Sequence, residues 1–179
     1  PASPTALTYT ATSVSYCVGT AITNNNPSNT GGAPSSYSIS PTLPAGLSID
    51  PGTGIISGTP TAVTSSGTYT VTATNSCGST TKALTIAVST TPSITYSTNP
   101  AVYCAGIAIP SNSPTNTGGP VTSYSVSPGL PSGLSLNTTT GIISGTPTTT
   151  AGVPMATYTV TANSSCGATT TGMVITTIG

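Results

Sequence analysis

Four cysteines are the residues of this chain best suited to covalent chemistry: Cys17, Cys77, Cys104 and Cys166. Cysteines in proteins form disulfides, ligate metals or act as nucleophiles. The chain has no Cys-x-x-Cys pair and no histidine, so a zinc site would have to draw cysteines from both halves of the sequence. Disulfide bonding is therefore the favoured interpretation, with such a zinc site and buried reduced thiols as the alternatives.

Other residues able to do chemistry are nearly absent. Among 179 residues there is one acid, Asp50, and one base, Lys82. A hydroxyl nucleophile needs a neighbouring base and a glycosidase needs two carboxylates, so we expect no catalytic residue, no cofactor and no metal. One alternative stays open, an amide bond between Lys82 and an asparagine, assisted by Asp50. The corresponding residues in the second half are Thr171 and Asn137, so this bond would form in one half only.

The low charge of the chain excludes two classes of partner. Charged residues make up 1% of the sequence, against roughly 25% in an average soluble protein. Near-zero charge removes the attraction that nucleic acid or an anionic membrane surface requires. No stretch approaches the ~18 consecutive apolar residues of a membrane helix, and nothing at the N-terminus resembles a signal segment. We predict neither nucleic-acid binding nor membrane insertion.

The sequence contains one unit twice. The heptapeptide GIISGTP at 54–60 recurs at 141–147, which is 87 residues later. The eight tyrosines fall into four corresponding pairs and the four cysteines into two. Units of about 90 residues have the size of one small domain. We therefore predict two tandem domains, residues 1–90 and 91–179.

Each unit has the residue pattern of an all-β domain. Residues 68–74 and 82–88 alternate polar and apolar side chains, which places one apolar set on a core-facing side of a strand. Shorter strands are predicted at 36–40 and 54–57, between glycines and prolines. No window has the 3.6-residue apolar period of a helix. Roughly seven short strands in each unit predict an antiparallel β-sandwich. GIISGTP is interpreted as a short strand that serves as a structural hinge of the sandwich, because a phosphate-binding loop would need a following helix and a lysine.

Two segments resemble a known family: YSISPTLPAGLSIDPGTGIISGTPT at 37–61 and GTYTVTATNSCGS at 67–79. They are similar to the cadherin/dystroglycan-type Ig-like tandem repeat of large extracellular bacterial adhesins, as in gliding bacteria with type IX secretion. The resemblance implies an all-β fold of two tandem antiparallel Ig-like β-sandwich domains. Calcium-bridged cadherins differ, because one aspartate cannot supply the 6–8 oxygen ligands of Ca²⁺. We expect a calcium-free rod.

The repeat also selects a cysteine pairing. A bond that is copied together with its domain closes inside that domain, so we predict the pairs Cys17–Cys77 and Cys104–Cys166. Each closed loop of about 60 residues would stabilise its domain by roughly 4 kcal/mol in the chain-entropy estimate. Oxidised cysteines imply an extracellular or periplasmic setting, and we predict an extracellular or cell-surface location.

Three function classes follow from these observations. The favoured one is a non-catalytic structural unit of an extracellular adhesin, stalk or filament, whose partners are copies of itself or neighbouring repeats. Both chain ends resemble the junction at 89–93, so we expect a longer array with short, proline-restricted linkers. The second is a module that binds a surface glycan or protein through Asn/Gly/Pro-rich loops at 23–34 and 111–120. The third is an ice-binding face formed by the outward threonines of 68–74.

Overall fold

A computed structural model describes residues 2–148 and 153–179, and these residues form strands and turns but no helix. Accordingly, none of the described segments is a helix long and apolar enough to cross a membrane. The chain divides into two compact units, residues 1–90 (repeat 1) and 91–179 (repeat 2). The all-β class predicted from the residue alternation is confirmed.

The two repeats have corresponding strands. Those of repeat 1 are β1 (Pro4–Tyr9), β2 (Ser13–Cys17), β3 (Pro27–Gly31), β4 (Ser36–Ser40), β5 (Leu47–Ile49), β6 (Ile56–Gly58), β7 (Thr64–Asn75) and β8 (Gly78–Ser89). Those of repeat 2 are β9 (Ile94–Tyr96), β10 (Ala101–Cys104), β11 (Pro114–Asn116), β12 (Ser123–Ser127), β13 (Leu134–Leu136), β14 (Ile143–Gly145), β15 (Val153–Ser164) and β16 (Gly167–Ile178).

The larger sheet of each repeat is built on its two longest strands. In repeat 1 the order is β2-β8-β7-β4, where β7 and β8 form a hairpin and β4 pairs antiparallel with β7. The other outer strand, β2, pairs parallel with β8. Repeat 2 has the corresponding order β10-β16-β15-β12. Side chains on alternate positions of β7 are buried, which is the period that half-buried strands require.

A second layer faces the larger sheet and completes the core. In repeat 1 it consists of the antiparallel pairs β1–β3 and β5–β6, linked by a bridge between Asn25 and Ile56. Both layers contribute to one cluster of buried side chains: Leu7, Tyr9, Ile56, Tyr69, Val71, Ala73, Leu84 and Ile86. Burial of one large aliphatic side chain contributes roughly 1.5–3 kcal/mol, so this cluster is the main source of stability in repeat 1.

The strands differ from the sequence predictions in two places. The strand predicted at 54–57 begins at Ile56, because Gly54 has φ of 73° and belongs to a turn. The segments predicted as loops at 23–34 and 111–120 each contain a strand, β3 and β11. Each repeat therefore has eight strands among its described residues, against the roughly seven predicted.

Candidate functional site

The segment at 37–61, which resembles a known family, contains the β5–β6 hairpin, where glycines allow the two backbones to lie in direct contact. A Cβ at Gly58 would lie 2.2 Å from the carbonyl oxygen of Gly46, and a Cβ at Gly46 would lie 2.0 Å from that of Thr59. The amide of Thr59 donates a hydrogen bond to the Gly46 carbonyl at 3.0 Å. Gly133 and Gly145 make the same close approach in repeat 2. The glycines at these positions allow the two backbones to approach closely. Neighbouring backbone atoms already fill the space that a bound group would need.

The first glycine of GIISGTP is held by two tyrosines. The Tyr9 hydroxyl donates a buried hydrogen bond of 2.7 Å to the carbonyl of Gly54. A Cβ at Gly54 would lie 2.6 Å from Cδ1 of Tyr37, so the ring lies directly against the glycine. In repeat 2 the Tyr96 hydroxyl donates to the Gly141 carbonyl in the same way. The two copies of the heptapeptide are thus fixed by the same pair of contacts.

Burial changes the acidity of these hydroxyl groups. Desolvation, followed by the proximity of Tyr37, raises the pKa of Tyr9 well above its ordinary value near 10. Desolvation, followed by the proximity of Tyr124, raises the pKa of Tyr96 to about 12. Both groups therefore stay protonated near neutral pH and remain hydrogen-bond donors. This is the protonation state that a structural role requires.

A buried asparagine connects three segments of each second layer. Asn25 is only 2% exposed and pairs through its backbone with Ile56, at 2.9 and 3.1 Å. Its side chain accepts from the amide of Ala11 at 2.9 Å and donates to the Ala11 carbonyl at 2.8 Å. Asn112 occupies the corresponding position in repeat 2 and is 3% exposed. The most buried polar residue of the predicted binding segment 23–34 is therefore used by the fold.

The single acid of the chain closes its own turn. Oδ1 of Asp50 accepts hydrogen bonds from the amides of Gly52 at 2.8 Å and Thr53 at 2.7 Å. These bonds, with the Thr53 amide contributing most, hold the pKa of Asp50 below its ordinary value. Asn137 closes the corresponding turn with two amide bonds of 2.9 Å. The described hydrogen bonds of Asp50 stay within its turn and do not include Lys82, which lies half-buried on β8.

Repeat 1 contains one notable cleft beside β2. Its volume is about 350 Å³, and it is lined by residues of 10–17 and 20–25. Val14, Tyr16 and Ile22 are half-buried and pack against the core from this side. Burial raises the pKa of the Tyr16 hydroxyl. No cluster of three or more His, Cys, Asp or Glu residues occurs there or elsewhere in 2–148 and 153–179.

The two cysteines of a repeat lie at its opposite ends. Cys17 ends β2 and is in register with Ser89, the last residue of β8. Cys77 lies in the turn directly before Gly78, the first residue of β8. The 12 residues of β8, at ~3.3 Å each, separate these ends by roughly 35 Å. A disulfide requires Cα atoms about 4.4–6.8 Å apart, so Cys17 cannot bond to Cys77.

The predicted pairing inside each repeat is therefore wrong. Repeat 2 has the same arrangement, since Cys104 is in register with Ile178 and Cys166 precedes Gly167 at the far end of β16. We call Cys17 and Cys104 the exit cysteines, and Cys77 and Cys166 the turn cysteines. In repeat 1 the exit cysteine, Cys17, is disulfide-bonded, and in repeat 2 the turn cysteine, Cys166, is disulfide-bonded. Cys77 and Cys104 are both exposed.

Comparison with known families covers the whole chain. A family model described as "Putative Ig domain" matches residues 1–91 and again residues 85–179. The chain belongs to the Putative Ig domain family. The signature glycines and the tyrosine contacts described above thus belong to two Ig-like domains, as the resemblance implied. No curated protein sequence matches this Ig-domain chain.

Solved structures of tandem Ig domains are similar in fold. A titin I-band fragment, I67–I69, is 14% identical with a TM-score of 0.58, over 97% of this chain and 65% of the fragment. Four N-terminal Ig domains of Dscam1 isoform 1.9 are 11% identical with a TM-score of 0.59, over 99% of this chain and 46% of that one. Extracellular domains 3–5 of Drosophila OTK are 14% identical with a TM-score of 0.56, over 97% and 61%. The chain thus spans about half to two thirds of these structures, and the similarity shows the fold alone.

Proposed function

We propose that this chain is a non-catalytic structural repeat unit of an extracellular bacterial adhesin, stalk or filament, in which each Ig-like domain adds reach and mechanical stability. The observation that carries the proposal is the role of the family's signature residues. Gly46 and Gly58 allow the β5–β6 backbones to touch, and Gly54 packs against Tyr37. What is repeated in the two copies is therefore the framework of the domain.

Two further observations support an extracellular, assembled state. Disulfide-bonded cysteines occur mainly in proteins exposed to oxidising compartments. Among the described residues, the outer strand β4 pairs with a strand on one side only, with β7, and on the other side its Tyr37 amide donates to the Pro51 carbonyl at 2.8 Å. Natural sheets commonly protect such edges with charged residues. This chain has one lysine or arginine and one acid, so charge does not separate neighbouring copies. Lateral packing of copies then buries no unpaired charge.

Sedimentation velocity over a concentration series tests the proposed assembly, with electron micrographs of the source material beside it. We expect association to increase with concentration in a buffer that contains reductant, and ordered filaments in the micrographs. Ser38 is exposed on β4, so Ser38→Lys should weaken association by placing a charge on the open edge. Thr139→Lys, in an exposed turn, is the matched control. A monodisperse two-domain particle at every concentration, with no filaments in the source material, would contradict the proposal.

A binding module is the second candidate, and the cleft beside β2 favours it. The cleft of about 350 Å³ combines apolar side chains with polar residues of the segment 20–25. A pocket of this size and mixed lining suits a glycan unit or a short peptide. Glycan-array binding that is lost in Asn24→Ala, and retained in the exposed control Thr139→Ala, would support this function. An array without binding would count against it.

A further inference from the structure

Two tripeptides of the type Asn-x-Ser/Thr occur in repeat 2, Asn-Thr-Thr at 137–139 and Asn-Ser-Ser at 163–165. This tripeptide, with any residue except proline in the middle, is the acceptor sequence for a glycan on the asparagine side-chain nitrogen. A glycan is bulky and hydrophilic, so its transfer to a folded chain requires an asparagine whose side-chain nitrogen is open to solvent. The two asparagines differ in this respect.

Asn137 lies in the exposed turn between β13 and β14. Its Oδ1 accepts hydrogen bonds from the amides of Thr139 and Thr140, both at 2.9 Å. The side-chain nitrogen, Nδ2, makes no hydrogen bond to the residues that the structure describes. Thr139, the third residue of the tripeptide, is exposed as well. The oxygen of this carboxamide therefore closes the turn, while the nitrogen is left to solvent.

The equivalent residue of repeat 1 shows which half of the side chain the turn needs. Asp50 occupies this position, and its Oδ1 accepts from the amides of Gly52 and Thr53 at 2.8 and 2.7 Å. An ionised carboxylate has acceptor oxygens only, so the turn forms without a side-chain nitrogen. The Nδ2 of Asn137 is therefore a group that the fold does not require, and only repeat 2 has it at this position.

Asn163 has the same sequence context, but the fold uses its side-chain nitrogen. This residue is half-buried on β15, between β12 and β16, where it is in register with Ser123 and Ala168. Its Nδ2 donates to Oγ of Ser123 at 3.2 Å. Its carbonyl accepts from the amide and from the hydroxyl of Thr122, at 2.7 and 3.0 Å. Transfer of a glycan to Asn163 would require these strands to separate.

We propose that Asn137 is a glycosylation site of the folded chain and that Asn163 is not. The sugar donor is a glycosyl diphosphate, in which the anomeric carbon is bound to a nucleoside diphosphate or to a polyprenyl diphosphate. During transfer Nδ2 forms a bond to the anomeric carbon, and the bond from this carbon to the diphosphate oxygen breaks. The diphosphate leaves with the electron pair of that bond, and Nδ2 gives one proton to a base of the transferase, so atoms and electrons balance.

A glycan in this turn would supply hydration that the charges of the chain do not. The chain has one lysine or arginine and one acid, so its solubility depends on neutral polar groups. An attached glycan adds many hydroxyl groups without adding charge. The proposal goes beyond the structural function, and it holds whether or not copies of the chain associate.

Mass spectrometry of the chain isolated from its source cells tests the site. We expect an intact mass that exceeds the mass of the sequence by one or more sugar residues. Chymotryptic cleavage of the reduced chain after Tyr124 and Tyr158 separates the two tripeptides, because 125–158 contains Asn137 and 159–179 contains Asn163. The sugar should be found on Asn137 alone. A chain without sugar, or a sugar on Asn163, would overturn the proposal.

Variants expressed in the same cells separate loss of the acceptor nitrogen from damage to the turn. Asn137→Asp keeps Oδ1, as Asp50 does in repeat 1, and should lose the sugar. Thr139→Ser preserves the tripeptide and should retain the sugar, whereas Thr139→Ala should lose it. Sugar that persists in Asn137→Asp or in Thr139→Ala would refute the site.

The same chains produced without a glycosyltransferase provide the control for folding. Equal melting temperatures of the original chain and Asn137→Asp would show that the turn is intact, so that loss of sugar reports the missing nitrogen. In such unmodified chains Thr139→Lys changes no glycan and remains a control for association.

A transfer assay in two arms identifies the donor. The unmodified, folded chain is incubated with washed membranes of the source cells, or with their soluble fraction and a mixture of nucleotide sugars. Modification of Asn137 in the first arm supports a polyprenyl diphosphate donor, and modification in the second supports a nucleotide sugar. Transfer in neither arm would refute the glycosyl diphosphate as the donor.

Discussion

Replacement of Gly54 by alanine measures how much the signature heptapeptide depends on close packing. Gly54 has φ of 73°, and an added Cβ would lie 2.6 Å from Cδ1 of Tyr37. A left-handed backbone costs a residue with a Cβ about 1–2 kcal/mol. Forcing an extra carbon into a packed core costs about 1–3 kcal/mol more. We expect Gly54→Ala to lower the free energy of unfolding by about 2–5 kcal/mol, the sum of both effects.

Gly19 provides the matched control. Its φ is 78°, but a Cβ there would meet no atom within 4 Å, so Gly19→Ala reports the backbone cost alone. Urea unfolding followed by circular dichroism gives both free energies, and hydrogen exchange identifies the repeat that loses protection. Gly141→Ala and Gly106→Ala repeat the comparison in repeat 2, where the same difference exists. If Gly54→Ala costs no more than Gly19→Ala, the packing explanation of the heptapeptide is wrong.

Three further predictions concern buried and turn-forming polar groups. Tyr9→Phe leaves the buried Gly54 carbonyl without its donor and should lower the free energy of unfolding in urea by about 1–3 kcal/mol. The hydroxyl of Tyr69 makes no hydrogen bond to the described residues, so the control Tyr69→Phe should lower it less. Because the pKa of Tyr96 is about 12 when folded and near 10 when unfolded, the unfolded state releases its proton first. Stability should therefore be constant below about pH 10 and fall as pH rises toward 12, measured by melting temperature with tyrosinate absorbance; a flat profile would contradict the shift. The lowered pKa of Asp50 contributes stability that is present above its unfolded pKa and lost as pH falls through the folded one. Asp50→Asn should remove this acid dependence in thermal melts and otherwise preserve the turn; an unchanged acid profile would argue against it.

Strands were predictable from the sequence where they alternate strictly between polar and apolar residues. The prediction for 36–40 coincides with β4, and the cores of β7 and β8 were found from their alternation. The ends of β7 and β8 were missed, because their outer residues are Ser, Thr, Gly and Asn without an apolar partner on the alternate positions. Strand β3, PSNTG, has no alternation at all and forms only because β1 pairs with it.

Contacts between distant segments were not predictable. The internal repeat shows which residues occupy equivalent environments, but it gives no information on which residues face one another. This is why equivalent cysteines were recognised while the pairing of Cys17 with Cys77 was wrong. Asn25 was assigned to a surface loop for the same reason, because only the backbone of Ile56 and the peptide of Ala11 reveal its buried role. One available signal was that an asparagine recurs at the equivalent position, Asn112.

The parallel pairing of β2 with β8 determines how one repeat resists a pull along the chain. The strands are in register from Ser13 opposite Thr85 to Cys17 opposite Ser89. A force directed toward the two ends of the repeat draws parallel neighbours in opposite directions along their common axis. Their interstrand hydrogen bonds are then loaded together in shear, whereas a hairpin peeled from its open end loses them one after another. A pull applied between Ser13 and Ser89 therefore loads the whole β2–β8 ladder at once.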